Sequence, residues 1–142
     1  MTGLYRHDKQ IEIKTELPGY PIVAKGVADE LRRVVINLVK NAYEAMPEGG
    51  LIILRSYRKG NSIFIEIEDN GLGIKEEDKA KIFVPNFSTK TSGTGLGLAI
   101  CKKIVEAHEG SISFASIKDK GTTFIIKLPV SQDPELKYTS SE

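Results

Sequence analysis

Two glycine-rich turns constrain the fold of this chain more than any other part of its sequence. The first, D-N-G-L-G-I at 69–74, follows a strand-like alternation, and the second, S-G-T-G-L-G-L at 92–98, begins an apolar helical repeat. Glycine is favoured where the backbone takes a positive φ or must lie close to a ligand. The unpaired amides at the start of a helix also bind anions. The two turns therefore predict a phosphate-bearing ligand, most simply a nucleotide, bound between them.

The spacing of apolar residues predicts a two-layer α/β sandwich. Alternation with a period of two indicates strands, and a period of 3.6 residues indicates helices. Because most strands are joined by hairpins, we expect a mixed, mostly antiparallel sheet packed against about three helices. The predicted strands are 10–16, 51–57, 62–68, 111–116 and 122–128, and the predicted helices are 27–46, 76–82 and 96–107, the last ending at Gly110.

We expect one domain over residues 1–130 and a polar, disordered tail over 131–142. The formal net charge of +1 predicts no binding to nucleic acid and no direct membrane contact. No apolar run approaches the ~20 residues needed to span a bilayer. We therefore expect a cytoplasmic location for this chain, whether or not the full-length protein is membrane-anchored. The single cysteine, Cys101, excludes an internal disulfide and a zinc site built on several thiolates.

The helix predicted at 27–46 has two different faces. Its apolar face consists of Leu31, Val35, Leu38, Val39, Ala42 and Met46, and well away from it lies a polar stripe of Glu30, Arg33, Asn37, Asn41 and Glu44. A solvated surface is one explanation for the stripe. However, asparagine is a poor helix former, so two asparagines at i and i+4 indicate a function. Amide oxygens are hard, neutral ligands that suit Mg²⁺, which keeps phosphates and waters as its other ligands.

Asp69 ends the strand that precedes the first glycine turn. Its carboxylate either bonds its own backbone, as turn aspartates do, or accepts a hydrogen bond from an exocyclic amine such as the adenine amino group. D-N-G-L-G alone is a weak signal for the second role. It becomes a strong one because F-V-P-N-F-S-T-K and G-T-G-L-G-L follow it in this order.

This ordered set of motifs resembles the ATP-binding catalytic domain of sensor histidine kinases, within the Bergerat-fold (GHKL) superfamily of gyrase, mismatch-repair ATPases and heat-shock chaperones. N-L-V-K-N-A at 37–42 is similar to the asparagine box, and D-N-G-L-G-I to the first glycine box. The segment 83–87 is similar to the phenylalanine box, G-T-G-L-G-L to the second glycine box, and G-T-T-F at 121–124 to the strand that closes the adenine pocket. The resemblance covers about residues 10–130.

The resemblance also implies roles for individual residues. Asn41 is the expected principal Mg²⁺ ligand, Asp69 the acceptor for the adenine amino group, and Thr122 its support through water. Asn37 and Lys90 are the expected catalytic residues. Gly71 and Gly73 would let the base lie close to the backbone. The expected ATP-binding residues are Asn37, Asn41, Asp69, Gly71, Gly73, Ile74, Phe87, Thr89, Lys90, Gly93, Thr94, Gly95, Leu96, Gly97 and Thr122.

The residue four positions before Asn41 separates two classes of the superfamily. Its ATPases have a glutamate there as a general base, whereas this chain has Asn37. A neutral histidine imidazole, with an unperturbed pKa of about 6.5, attacks a phosphate without such a base. Asn37 therefore favours a histidine kinase. N-A-Y-E-A-M-P-E-G-G and F-S-T-K are most similar to the nitrogen-regulation type, although Glu44 stands where many other histidine kinases have a lysine.

The expected partner is a histidine phosphoacceptor and dimerisation domain of the same kinase, with a response regulator as an indirect partner. His7 and His108, the two histidines of this chain, lack the sequence context of a phosphoacceptor. Two alternatives remain: a non-catalytic nucleotide-binding regulatory module, and an ATPase of the same superfamily. The intact glycine turns and both asparagines argue against the first, and Asn37 argues against the second.

Overall fold

The computed structural model describes residues 9–17, 28–87 and 97–130 of the 142-residue chain. Its elements are β1 (Ile11–Glu16), α1 (Ala28–Glu44), β2 (Gly50–Lys59), β3 (Ser62–Asp69), a short 3-10 helix (Glu76–Asp78), α2 (Gly97–Ala107), β4 (Ser111–Ile117) and β5 (Gly121–Pro129). The strands form one sheet in the order β1-β2-β3-β5-β4. β1 is parallel to β2, and all other neighbours are antiparallel. The predicted mixed, mostly antiparallel sheet is therefore confirmed.

Both α-helices pack on one face of the sheet, which gives the two layers predicted from the sequence. The alternation in β3 decides which face this is. Ile63 and Ile67 point to the helices and are buried, whereas Glu66 and Glu68 lie on the opposite face. Across the part of the chain that is described, the helical layer holds two α-helices and one 3-10 helix, against about three predicted helices.

The buried face of α1 is rotated relative to the one predicted. Its innermost residues are Val34, Leu38 and Ala42, and Met46, just beyond its end, is also buried. Val34, which was not in the predicted set, has no exposed surface. At about 100° per residue, Asn41 lies only about 20° from Val34 around the helix axis. Asn37 and Asn41 are half-buried and border the core, whereas Glu30, Arg33 and Glu44 are exposed. The expectation that the stripe lies well away from the apolar face therefore holds for its charged residues and is wrong for the two asparagines.

The segment predicted as a helix over 76–82 forms a single 3-10 turn, Glu76–Asp78, followed by further turns. Each successive backbone bond there joins an amide to the carbonyl three residues earlier, as in Asp78 N–H to Lys75 O at 2.9 Å. This tighter path places Ile82 in the core and Phe83 in edge contact with the rings of two phenylalanines on β4 and β5. Tertiary packing has overridden a local helical preference.

α2 ends in a left-handed turn, but not on the expected glycine. Glu109 has a φ of 63°, and its N–H donates to Glu106 O at 3.0 Å while Gly110 N–H donates to Val105 O at 3.0 Å. These two hydrogen bonds, to carbonyls three and five residues earlier, form the capping pattern that closes the last turn of the helix. Gly110 is needed for a different reason, because a Cβ there would lie 2.8 Å from Leu128 Cδ2.

Candidate functional site

Asp69 lies at the end of β3, the central strand, and only 5% of its surface is exposed. Its Oδ1 accepts a hydrogen bond from Gly71 N–H at 2.9 Å, and Thr122 N–H also donates to the carboxylate. Burial raises the pKa of Asp69 above its ordinary value, while these two backbone donors act in the opposite direction. The neighbouring Glu68 raises this pKa further, although its own carboxylate is paired with Arg55 at 2.7 Å.

The loop after Asp69 is held between two other parts of the protein. Leu72 N–H donates to Ala45 O at 2.9 Å, just beyond the end of α1. On the other side, Asp119 N–H, in the turn between β4 and β5, donates to Leu72 O at 2.6 Å. The loop is therefore hydrogen-bonded both to the residue that follows α1 and to the β4–β5 hairpin.

Gly71 and Gly73 are required by this packing whether or not a ligand approaches them. A Cβ on Gly71 would overlap the carbonyl oxygen of Ala45 and lie 2.9 Å from Met46 Cγ. Gly73 has a φ of 71°, and a Cβ there would overlap the carbonyl oxygen of Ile117. Both glycines therefore have a structural explanation, independent of the predicted approach of a base.

A buried polar cluster lies beside Asp69. Thr122, which pairs with Asp69 across the sheet, places its hydroxyl 2.8 Å from Ser116 Oγ on β4. Ser116 Oγ also accepts the N–H of Ile74 at 2.8 Å and donates to Gly121 O at 3.0 Å. Sequence reasoning missed Ser116. Its only signal was a small polar residue at an inward position of an alternating strand.

Ile74 and Phe87, two of the predicted binding residues, are half-buried and pack against the core. Phe87 lies with its ring 6.0 Å from Lys81 Nζ and is the last residue described before the gap at 88–96. Phe83 contacts Phe114 and Phe124 and anchors the segment to the sheet. The phenylalanine-flanked loop thus starts from a fixed point in the core.

Asn37 and Asn41 are half-buried, one turn apart on α1, and Asn37 lies next to α2. Asn37 is within hydrogen-bonding reach of the Cys101 thiol, whose Sγ also lies 3.9 Å from Val34 O. Burial raises the pKa of Cys101, which keeps the thiol protonated. Asn41 lies one turn before Ala45, the residue that holds the Asp69 loop. Two backbone hydrogen bonds, from Ala45 N–H to Asn41 O and from Leu72 N–H to Ala45 O, therefore connect the asparagine helix to the loop after Asp69.

Gly97, the first residue of α2, differs from the other two glycines. Among the described residues, a Cβ on Gly97 would meet nothing within 4 Å, so none of their contacts requires glycine at this position. The remaining predicted residues of the lid and second glycine turn lie outside the described residues; they are Thr89, Lys90, Gly93, Thr94, Gly95 and Leu96. The predicted tail at 131–142 also lies outside them.

No helix in the described part of the chain combines the length and apolar character needed to cross a membrane. Within residues 9–17, 28–87 and 97–130, no group of three or more His, Cys, Asp or Glu side chains is placed to hold a metal ion. The candidate metal ligands predicted from the sequence are instead asparagine amides.

Residues 26–132 match a family model described as histidine kinase-, DNA gyrase B-, and HSP90-like ATPase. Among curated proteins, sporulation kinase B of Bacillus subtilis is 43% identical over 126 residues, which cover 88% of this chain and 29% of that protein. The chain therefore spans less than a third of this relative's length.

Solved structures of related proteins also superimpose on this chain. The catalytic domain of histidine kinase ThkA, in a nucleotide-free form, superimposes with a TM-score of 0.76 at 38% identity, covering 84% of this chain and 78% of that one. Full-length ShkA in complex with AMPPNP has a TM-score of 0.77 at 28% identity, covering 89% of this chain and 27% of that one. Sequence identities of 38% and 28% over these lengths indicate more than a shared fold.

Proposed function

The chain belongs to the family of histidine kinase-, DNA gyrase B- and HSP90-like ATPases, and from this premise we propose that it is the ATP-binding catalytic domain of a sensor histidine kinase. It binds Mg²⁺-ATP and donates the γ-phosphoryl group to a histidine on a separate phosphoacceptor and dimerisation domain, in two-component signalling. The similarity to sporulation kinase B and to the ThkA catalytic domain supports this assignment.

The observation that carries the proposal is the buried Asp69 carboxylate. An ionised carboxylate offers about four lone-pair positions, and the two backbone donors from Gly71 and Thr122 leave acceptor capacity free. The adenine amino group is a donor that fits it. Because Asp69 ends a strand paired on both sides, its carboxylate is held in place before the nucleotide arrives.

Asn37 indicates which class of reaction this site supports. Its amide has no useful basicity, so this part of the chain would not activate water or a hydroxyl group. A neutral histidine supplied by another domain needs no such base. The contribution of this chain is therefore to position the triphosphate and to neutralise its charge.

Asn41 is the proposed principal ligand of Mg²⁺. The donor set fits, because an amide oxygen is a hard, neutral ligand and Mg²⁺ takes few ligands from the protein. Mg²⁺, when bound, neutralises negative charge on the terminal phosphates. Asn41 and Asn37, both half-buried on the same side of α1, would hold the metal and phosphates on the side of the site facing α2.

The phosphates themselves are assigned to the second glycine turn. No atom of residues 9–17, 28–87 or 97–130 would contact a Cβ on Gly97, which supports a close approach by a ligand. Upstream of it, the amides of Gly93, Thr94, Gly95 and Leu96 are proposed to hold the phosphates, with Thr89 and Lys90 reaching them from the lid. Lys90 would assist catalysis by neutralising charge on the terminal phosphate.

The phosphoacceptor histidine is proposed to lie outside this chain. His108 is a poor candidate, because only 7% of its side chain is exposed and its Nδ1 is 2.7 Å from Ile104 O. Its Nε2 lies 3.7 Å from Glu30, so the ring connects the end of α2 to the start of α1. A response regulator is the proposed indirect partner, and the cytoplasm the proposed location.

The test mixes this chain with γ-labelled ATP, Mg²⁺ and a separately produced dimerisation domain, and then measures acid-labile phosphohistidine. We expect label on the partner domain, none with Asp69→Ala, and slower transfer at normal ATP affinity with Lys90→Ala. Ser113→Ala, exposed on β4, is the matched control. Hydrolysis without transfer, lost in Asn37→Ala, would indicate an ATPase instead. Nucleotide binding with neither reaction would indicate a regulatory module.

The nitrogen-regulation type is proposed as the subtype, on the strength of N-A-Y-E-A-M-P-E-G-G and F-S-T-K. Glu44 is exposed near the end of α1, and in this proposal its side chain does not contact the phosphates. Glu44→Lys should then leave ATP affinity unchanged. A tighter complex would mean that position 44 faces the phosphates, as the lysine of other histidine kinases is expected to do.

A further inference from the structure

Ser116 occupies a position from which it can set the hydrogen-bonding character of the Asp69 site. It is buried on β4, opposite Thr122 in the sheet. Its Oγ lies 2.8 Å from Ile74 N, 3.0 Å from Gly121 O and 2.8 Å from Thr122 Oγ1. Its backbone carbonyl accepts Lys79 Nζ at 2.7 Å. The hydroxyl and the backbone carbonyl of Ser116 are therefore fixed by partners from separate segments.

Counting protons fixes the direction of each bond. The N–H of Ile74 can only donate, and the carbonyl of Gly121 can only accept. Ser116 has a single hydroxyl proton, which goes to Gly121 O, and one of its two lone pairs accepts Ile74 N–H. The contact with Thr122 is then a hydrogen bond only if Thr122 donates its own proton to the other lone pair of Ser116. No other assignment makes hydrogen bonds of all three contacts.

Thr122 consequently presents only lone pairs to anything else that approaches its hydroxyl. Asp69, to which Thr122 also donates its N–H, is an acceptor as well when ionised. The two side chains thus form a site that accepts hydrogen bonds and does not donate them. An amino group at position 6 of a purine can donate to such a site, whereas a carbonyl oxygen at that position cannot.

We propose that Ser116 is a specificity-determining positioning residue, which makes the Asp69–Thr122 site select a 6-amino purine over a 6-oxo purine. The inference rests on the proposed ATP-binding function, and it assigns the selectivity to a residue that would not touch the base. Without Ser116, the Thr122 hydroxyl proton is free to turn toward the ligand and to donate to a 6-oxo group.

The experiment measures the dissociation constants of ATP and inosine triphosphate, which differ at position 6, for the complete chain with Mg²⁺. For the unmodified chain we expect a clear preference for ATP. Ser116→Ala should reduce the ratio of the two constants by about tenfold, the size expected for one hydrogen bond gained or lost. Ser113→Ala, on the same strand but exposed on the other face, should leave the ratio unchanged.

Two further variants separate selectivity from simple damage to the fold. Ser116→Thr keeps the hydroxyl and should retain the ratio. Thr122→Val removes the proton that Ser116 controls, so adding Ser116→Ala to it should not change the ratio again. A Ser116→Ala ratio equal to that of the unmodified chain, at normal ATP binding, would overturn this inference alone. Failure of the unmodified chain to bind ATP would instead overturn the proposed function.

Discussion

Gly73→Ala tests whether the loop after Asp69 is shaped by the protein around it. Two features of Gly73 oppose an alanine. Its φ is 71°, in the left-handed region. A Cβ there would also overlap the Ile117 carbonyl oxygen and lie 2.9 Å from Lys118 Cα, and these are backbone atoms that cannot move aside as a flexible side chain can.

Gly60 offers a matched control that shares only the first feature. Its φ is 64°, yet a Cβ there would meet no atom of the described residues within 4 Å. Left-handed backbone costs an alanine about 1–2 kcal/mol, partly offset by about 0.4–1 kcal/mol from the less flexible unfolded chain. Gly60→Ala should therefore lower the free energy of unfolding by about 1 kcal/mol. Gly73→Ala adds an overpacking term of about 1–3 kcal/mol, so we expect about 2–4 kcal/mol.

Urea unfolding of the three proteins, with an unchanged m-value, gives the two differences directly. Equal losses for Gly73→Ala and Gly60→Ala would refute the reasoning, because they would mean that the space beside Ile117 is not crowded. The result also bears on function. Weak nucleotide binding by Gly73→Ala is not proof of a contact with the base, unless stability is measured in the same variant.

Three other predictions concern the helices and Asp69. Leu38→Ala should cost about 2–5 kcal/mol of unfolding free energy, whereas Ile36→Ala, 58% exposed on the same helix, should stay within about 0.5 kcal/mol; equal losses in urea would contradict the packing of α1. Glu109→Gly should stabilise the chain by about 1 kcal/mol, because it removes a left-handed side chain, and a lower melting temperature would contradict this. Since burial raises the pKa of Asp69, ATP affinity should fall on acidification at a higher pH than for an ordinary aspartate, near 3.9. Folding stability, compared with Asp69→Ala, should change in the opposite direction, because the folded chain binds this proton more tightly than the unfolded chain does. An affinity that is flat in this window would contradict an acceptor role for Asp69.

The motifs that depend on local spacing were predictable. The alternation of β3 placed Asp69 at a strand end, and the 3.6-residue period of α1 placed Asn37 and Asn41 on one stripe. The exact phase of α1 was not predictable. Val34 and Val35 are equally apolar, and only contact with the sheet and α2 decides that Val34 is the more deeply buried.

Features that depend on distant partners could not be read from the chain. Ser116 is one small polar residue in a strand, and its contacts with Ile74 and Thr122 exist only because the sheet brings three segments together. Gly110 was expected to end α2 through its backbone flexibility. It is required instead by its closeness to β5, while Glu109 adopts the left-handed conformation.

The position of β3 between β2 and β5 has a consequence for the order in which the molecule opens. Along its length β3 is paired with a neighbour on each side, whereas β1 and β4, among the described strands, lie at the two edges with one neighbour each. Amides that open only with the most stable unit exchange most slowly with deuterium. We therefore expect β3 to be the slowest strand to exchange. The carboxylate at its end would keep its place through partial openings that release the edge strands.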